Sequence, residues 1–171
     1  MKLLTDWGFS WEGWRQGSRG EYWVAVQALL VVEFALLPVY RVPGFKLPIW
    51  LGLYVVLPSA AILALSALLL FFKGFWDLGH SLTPLPYPRD DGELVQAGVY
   101  SVVRHPIYSG LILGSLGWAL YQLSVTHLVG AIALFIFFNA KASREESWLI
   151  EKYPDYPEYC QRVKKLIPGL Y

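Results

Sequence analysis

Three observations predict an all-α, polytopic membrane fold for this chain. Of its 171 residues 56% are hydrophobic and only 16% are charged, against about 25% charged in an ordinary soluble domain. The apolar residues form blocks, several close to the ~20 residues that cross a bilayer core. Twelve of the 14 Lys and Arg fall on one side of the topology those blocks imply, which is the positive-inside pattern of a multi-pass protein.

The blocks predict about four transmembrane helices in a single domain spanning residues 1–171. Residues 1–21 read as an interfacial segment, because Trp7, Phe9, Trp11 and Trp14 alternate with Arg, Glu and Gly and amphipathic aromatic rings favour the membrane boundary. Residues 22–72 hold two spans. Tyr22–Tyr40 is interrupted only by Glu33, and Ile49–Phe72 carries no charge. Residues 73–105 then form a loop. Within it, Thr83-Pro-Leu-Pro-Tyr-Pro88 is too rich in proline for a helix and Asp90-Asp91-Gly92 reads as a turn. Residues 106–140 form a helical hairpin, with one span over Pro106–Ser124, a tight turn at Ser124–His127, and a shorter span from Leu128 to about Ala140. That last helix has no stop signal and is expected to continue through Lys152, so that 141–171 is a helical C-terminal extension. Four spans place both termini and the 73–105 loop on the cytoplasmic side, leaving only Arg41 and Lys46 opposite.

Composition excludes several classes. A net charge of +1 makes no case for nucleic acid. One cysteine, Cys160, supports neither a disulfide framework nor a thiolate zinc site, and it has no base partner nearby in sequence. His80, His105 and His127 lie in separate segments without helical pairing, so no metal is expected. The N-terminus lacks a charged segment followed by an apolar core, so no cleavable signal peptide is expected.

The chemistry-bearing residues gather where helices leave the apolar phase. Pro106 suits the first position of a helix with His105 at its cap. The N–H groups of Ile107, Tyr108 and Ser109, with the helix dipole, would suit a carboxylate or phosphate, and Arg104 would add a positive charge. Gly110, Gly114 and Gly117 line one side of that helix for close packing, with Gly130, Ala131, Ala133 and Ala140 as possible partners. At the end of the next helix, Lys141 and Glu145 share a face, as do Asn139, Ser143 and Glu146. Glu33 is an acid inside a span, which makes it a functional candidate by position. His80 lies in the cytoplasmic loop and can approach the site, whereas His127 is expected at the opposite interface.

The series Leu94-Val95, Gly98-Val-Tyr100, Arg104-His-Pro-x-Tyr108-x-Gly110, Glu145-Glu146-x-x-Leu149, Tyr156, Tyr159 and Pro168 resembles the isoprenylcysteine carboxyl methyltransferase family, whose wider group includes phospholipid N-methyltransferases. The resemblance covers roughly Leu78 to Pro168; the first two spans match only in kind. It implies a membrane methyltransferase that uses S-adenosylmethionine (SAM) and takes a lipophilic acceptor from the bilayer. It implies that Gly92, Glu93, Leu94, Val95, Tyr100, Arg104, His105, Pro106, Ile107, Tyr108 and Glu145 line the cofactor pocket, with His105 and Glu145 also in catalytic roles. It further implies a catalytic, substrate-facing role for Lys141. The family has Arg there in prenylcysteine-specific members, and Lys offers a point charge without a bidentate fork. SAM's charges suit these residues: the helix N–H groups for its carboxylate, Glu145 for its ammonium, and the faces of Tyr100 or Tyr108 for its sulfonium. An amine or thiol acceptor would need a base, for which His105 or His80 is available. Two rival readings remain: an NADPH-dependent sterol-type membrane reductase, which shares a similar Arg-His-Pro-x-Tyr-x-Gly ending, and a non-catalytic membrane scaffold.

Overall fold

A computed structural model describes residue 7 and residues 10–171; most of the expected interfacial run before Ser10, including Phe9, lies outside the described residues. The described residues form helices and loops, with one isolated parallel bridge between Val103 and Lys164.

Helix α1, Trp11–Gln16, is a single capped turn and a half: the Ser10 hydroxyl accepts the Gly13 N–H at 2.9 Å, and Gly17 closes the end at φ 65°. Helix α2, Glu21–Leu36, stops four residues before the sequence prediction. Pro38 is the reason, since it has no N–H to continue the helix and drives Leu37 out of the α region, where Leu37 has ψ 136°.

Helix α3 runs Ile49–Ser81, nine residues past Phe72. Its first turns widen into a π turn over Gly52–Val56, directly before Pro58, which cannot return a hydrogen bond to residue 54. The stretch Lys73–Ser81, expected as loop, is therefore helical. Lys73 and Asp77 pair at 2.7 Å along it, and Asp77 accepts the Val99 N–H at 2.8 Å, anchoring the loop that follows.

Helix α4, Pro106–Gln122, and helix α5, Val125–Lys152, form the hairpin. The turn is shorter than predicted. Leu123 takes φ 49° and Ser124 caps α5 through the His127 N–H, so Val125, Thr126 and His127 already belong to the helix. Helix α5 continues unbroken to Lys152 as expected. A short α6, Tyr156–Arg162, turns back toward the hairpin.

Two helices, α3 and α5, are long and apolar enough to cross a membrane. At 1.5 Å per residue, 16-residue α2 and 17-residue α4 reach about 24–26 Å, short of a ~30 Å hydrocarbon core. The glycines of α4 face α3 and not the small residues of α5. A methyl group at Gly110 would lie 2.8 Å from the Ala67 carbonyl, and one at Gly117 would lie 3.1 Å from the Leu63 side chain. On its other side α4 meets α5 and the C-terminal segment in an apolar core of Ile112, Leu134, Phe138 and Leu166.

Candidate active site

The ends of α3 and α5 and the start of α4 converge on one cavity of about 240 Å³, roofed by the 81–95 loop. Lys141, Gly92, Glu93, Leu94, Val95, Tyr100, Arg104, His105, Pro106, Ile107, Tyr108 and Glu145 all line it. Residues more than fifty positions apart are thus gathered around one space.

The centre of the wall is a pair of carboxylates on the last turns of α5. Glu145 Oε2 accepts the Tyr108 hydroxyl at 2.8 Å and lies 3.8 Å from His105 Nδ1. Glu146 Oε1 sits 3.1 Å from His105 Nε2 and accepts Arg104 Nε at 2.8 Å. Both nitrogens of the buried His105 ring therefore face acids. The ring also stacks on Tyr108, with centroids 5.4 Å apart and planes within 4°. Pro106 follows His105 at the first helical position, as the sequence required.

Arg104 has a different role from the one its sequence position suggests. Besides Glu146 it donates to the carbonyls of Cys160 and Val163, so its charge is consumed within the protein. Burial opposes its charged form, but the Glu146 carboxylate outweighs this and holds the guanidinium pKa above its ordinary value. The backbone continues the same clamp. Arg104 and His105 donate N–H groups to the Lys164 and Lys165 carbonyls, and the Ser109 hydroxyl reaches the Leu166 carbonyl at 2.6 Å. The Ser109 N–H bonds the His105 carbonyl. Of the three helix-start donors expected to be free, only those of Ile107 and Tyr108 are without an acceptor among the described residues.

Tyr108 is also less open than expected. His105 stacks on it, Phe138 stacks at 5.1 Å, and the Lys141 ammonium lies 5.0 Å from its ring centre. Its faces are occupied, which leaves Tyr100 as the sequence-predicted aromatic for a cation. Tyr100 is buried and fixed by its hydroxyl on the Gly74 carbonyl at 3.2 Å. Burial, with Glu145 adding to it, raises its phenol pKa, so the hydroxyl remains a donor.

Lys141 is 1% exposed. Its ammonium donates to Gln27 Oε1 at 2.5 Å and to the Pro84 carbonyl at 3.2 Å. Sequence reasoning does not single out Gln27; its one signal is a lone amide inside apolar α2. Nor does it place Tyr153 and Tyr156 in the site. Tyr153 donates to the Gly92 carbonyl at 2.7 Å and Tyr156 reaches Glu146 at 3.5 Å. His80, Glu33 and His127 lie away from this wall. His80 faces Asp91 on the outer surface at 3.5 Å. Glu33 lines a second cavity between α2 and α5. His127 lies in the first turn of α5, at the end away from the cavity, where it is buried, bonded to Ser124 at 2.8 Å and edge-on to Phe34.

By fold and site the described residues form a helical protein with two helices able to cross a membrane and, at the shared end of those helices, a cavity where apolar and titratable side chains meet. Residues 51–156 match the family described as phospholipid methyltransferase, and the chain belongs to that family. Among its relatives, an Arabidopsis thaliana protein-S-isoprenylcysteine O-methyltransferase B is 33% identical over 94 residues, 53% of this chain and 48% of that protein. The Saccharomyces cerevisiae protein-S-isoprenylcysteine O-methyltransferase is 36% identical, over 53% of this chain and 39% of its own length. A methanethiol S-methyltransferase from Pseudomonas deceptionensis is 33% identical over 47% of this chain and 30% of its own. The matches thus span less than half the length of these relatives.

Proposed function

We propose that the protein is an integral-membrane, SAM-dependent methyltransferase acting on a lipophilic acceptor, with about four spans and its cofactor cavity on the cytoplasmic side. The carrying observation is that Glu145, Tyr108, His105 and Lys141 meet in one cavity at the ends of apolar helices. The residues present fit SAM. Glu145 uses one carboxylate oxygen on Tyr108 and keeps Oε1 for an ammonium. The free N–H groups of Ile107 and Tyr108 suit a carboxylate, and the Tyr100 ring suits a positive sulfonium.

When bound, SAM supplies a methyl group whose leaving group is already activated by its positive charge. The work left to the protein is alignment and exclusion of water, worth up to about 7–11 kcal/mol of barrier. Tyr108 holds Glu145, and the Arg104–Glu146 pair holds His105, so the polar wall is fixed before any ligand arrives. Lys141 offers its charge to the acceptor. A carboxylate acceptor needs no base, whereas an amine or thiol would need one, and both His105 nitrogens are already turned to Glu145 and Glu146.

Titrating SAM into detergent-purified protein by calorimetry tests the reading, with binding expected for wild type and at least tenfold weaker for Glu145→Ala and His105→Ala. Absence of binding by wild type, or thermal protection by NADPH and not by SAM, would reverse it. Radiolabelled SAM with native membranes, followed by separation of lipid from protein products, then identifies the acceptor class.

A further inference from the structure

The second cavity lies on the seam between α2 and α5, at the end away from the candidate active site. It holds about 360 Å³ and shares no lining residue with the first. Leu37, Val125 and Thr126 form its outer rim, where the two connections meet through the Val125 N–H and the Tyr40 carbonyl at 2.9 Å. Leu30, Ala133 and Leu134 form its inner end, toward the middle of both helices. Among the lining residues Glu33 alone carries an ionisable group. It stands three residues before the end of α2 with its side chain exposed, so in a bilayer it faces lipid.

An acid set in an apolar, lipid-facing wall needs a positive partner, and the described residues give Glu33 neither an ion pair nor a hydrogen bond. Arg41, the basic residue nearest in sequence, is turned to the Gln122 carbonyl at 2.7 Å. The other polar side chain of the wall is committed. Thr126 donates to the Pro38 carbonyl at 2.5 Å, meets the Ser124 hydroxyl at 2.9 Å and accepts the Tyr40 N–H at 3.4 Å. The two carboxylate oxygens of Glu33 are therefore the side-chain acceptors left to a ligand. A primary ammonium brings three N–H donors, each costly to desolvate without an acceptor. A quaternary ammonium brings its charge and no donor, and its methyl groups suit the apolar wall and the Phe34 ring. A volume of 360 Å³ is at the small end of ligand pockets, about 300–1,000 Å³, so it suits one head group and part of one chain.

We propose that the α2–α5 cavity is a second ligand site, separate from the candidate active site, that takes a single-chain amphiphile with a quaternary ammonium head. The head pairs with the Glu33 carboxylate beside Phe34, and the chain runs past Leu30, Ala133 and Leu134 toward the bilayer middle. The site stands whether or not the methyltransferase reading holds, because neither its residues nor its test involve the first cavity. Three probes carry the same brominated dodecyl chain: one with a trimethylammonium head, one with the neutral isostere in which carbon replaces nitrogen, and one with a primary ammonium. Their binding to the full-length protein in maltoside micelles is read as saturable quenching of tryptophan fluorescence.

Wild type is expected to bind the trimethylammonium probe at least tenfold more tightly than the neutral isostere and at least threefold more tightly than the primary amine. Glu33→Gln is expected to weaken the trimethylammonium probe at least tenfold and to leave the neutral one within twofold. Equal binding of charged and neutral probes by wild type would mean a merely apolar groove and overturns the proposal. Tighter binding of the primary amine overturns the choice of head group, and unchanged binding in Glu33→Gln overturns the site. Should Glu33→Gln fail to fold, Ala133→Phe keeps the acid and fills the inner end of the cavity. It is expected to weaken the trimethylammonium probe at least tenfold, and unchanged affinity there overturns the proposal equally.

Discussion

Tyr108 donates its hydroxyl to Glu145 across 2.8 Å, joining the first turn of α4 to the last turns of α5. A hydrogen bond to a charged group contributes about 1.5–3 kcal/mol, and this one aims the carboxylate expected to meet the SAM ammonium. Tyr108→Phe keeps the stacks on His105 and Phe138 and removes only the hydroxyl. It is expected to weaken SAM binding about three- to tenfold, and Glu145→Gln by more than tenfold. The double variant should lose little more than Glu145→Gln alone, because the hydroxyl acts through the carboxylate. Calorimetry on the four proteins checks this, and simple additivity of the two losses would contradict it.

Arg104 and Glu146 form a second tie, between the 103–105 segment and α5, with side chains only 10% and 14% exposed. Removing one partner of a buried pair leaves a charge uncompensated, at about 3–5 kcal/mol. Arg104→Ala also strips donors from the Cys160 and Val163 carbonyls. Its melting temperature in detergent is expected to fall steeply. Arg104→Lys should not restore it, since a compact ammonium lacks the planar fork that spreads donors toward the Glu146 carboxylate and the two carbonyls, and full recovery by Lys would refute the clamp.

Much of this site is legible in sequence because its parts are local. Pro106 after His105 marks a helix start, and the four-residue spacing of Lys141 and Glu145 marks a shared face once α5 is taken as unbroken. Where each charge is directed is not legible. Arg104 looks like a free cation until α6 and the C-terminal segment bring carbonyls beside it, and Gln27 looks inert until α2 meets α5 across 114 positions. The fold departs from its sequence pattern for a similar reason. The glycines of α4 announce a close contact, but which helix supplies it depends on long-range packing, and that helix is α3. The extension of α3 through Lys73–Ser81 is hidden by charge, which is compensated within the helix by the Lys73–Asp77 pair.

The glycine face gives a graded prediction. A methyl group at Gly110 would meet the Ala67 carbonyl at 2.8 Å, which is backbone and cannot swing away, whereas one at Gly114 would touch the Ala67 side chain at an ordinary 3.5 Å. Gly110→Ala is therefore expected to destabilise by about 1–3 kcal/mol, and Gly114→Ala to be neutral or slightly stabilising through its better helix propensity. Melting temperatures of the two variants should separate clearly; equal effects would mean that α4 does not pack on α3 at this register.

Cys160, on α6, has its thiol pKa raised by burial, with the nearby Arg104 charge acting in the opposite sense. A raised folded-state pKa means the native chain holds this proton more tightly than the unfolded one. The associated stability is present below the ordinary thiol range, about 8.5, and is lost as pH rises through the folded value. Iodoacetamide at pH 8 is expected to label native protein slowly and SDS-unfolded protein quickly. Cys160→Ser should bind SAM as wild type does; a loss of binding greater than threefold would make the thiol part of the donor site.

The topology can be tested at the short helices. Helices α3 and α5 are long enough to cross, and because the cavity lies at the C-terminal end of both, α4 must carry the chain back between them. Helices α2 and α4 must tilt little, or thin the bilayer, to cross as well. If they do cross, the Val39–Lys46 connection and the Leu123–Ser124 turn share the face opposite the cavity, as the Val125 N–H to Tyr40 carbonyl bond at 2.9 Å requires of the two connections. Single cysteines at Lys46 and Glu158, in a Cys160→Ser background, provide the measurement in sealed right-side-out vesicles. An impermeant maleimide added outside is expected to label position 46 at once and position 158 only after the membrane is opened. Labelling of both from the outside, or of 158 alone, would defeat the four-span arrangement with a cytoplasmic cavity.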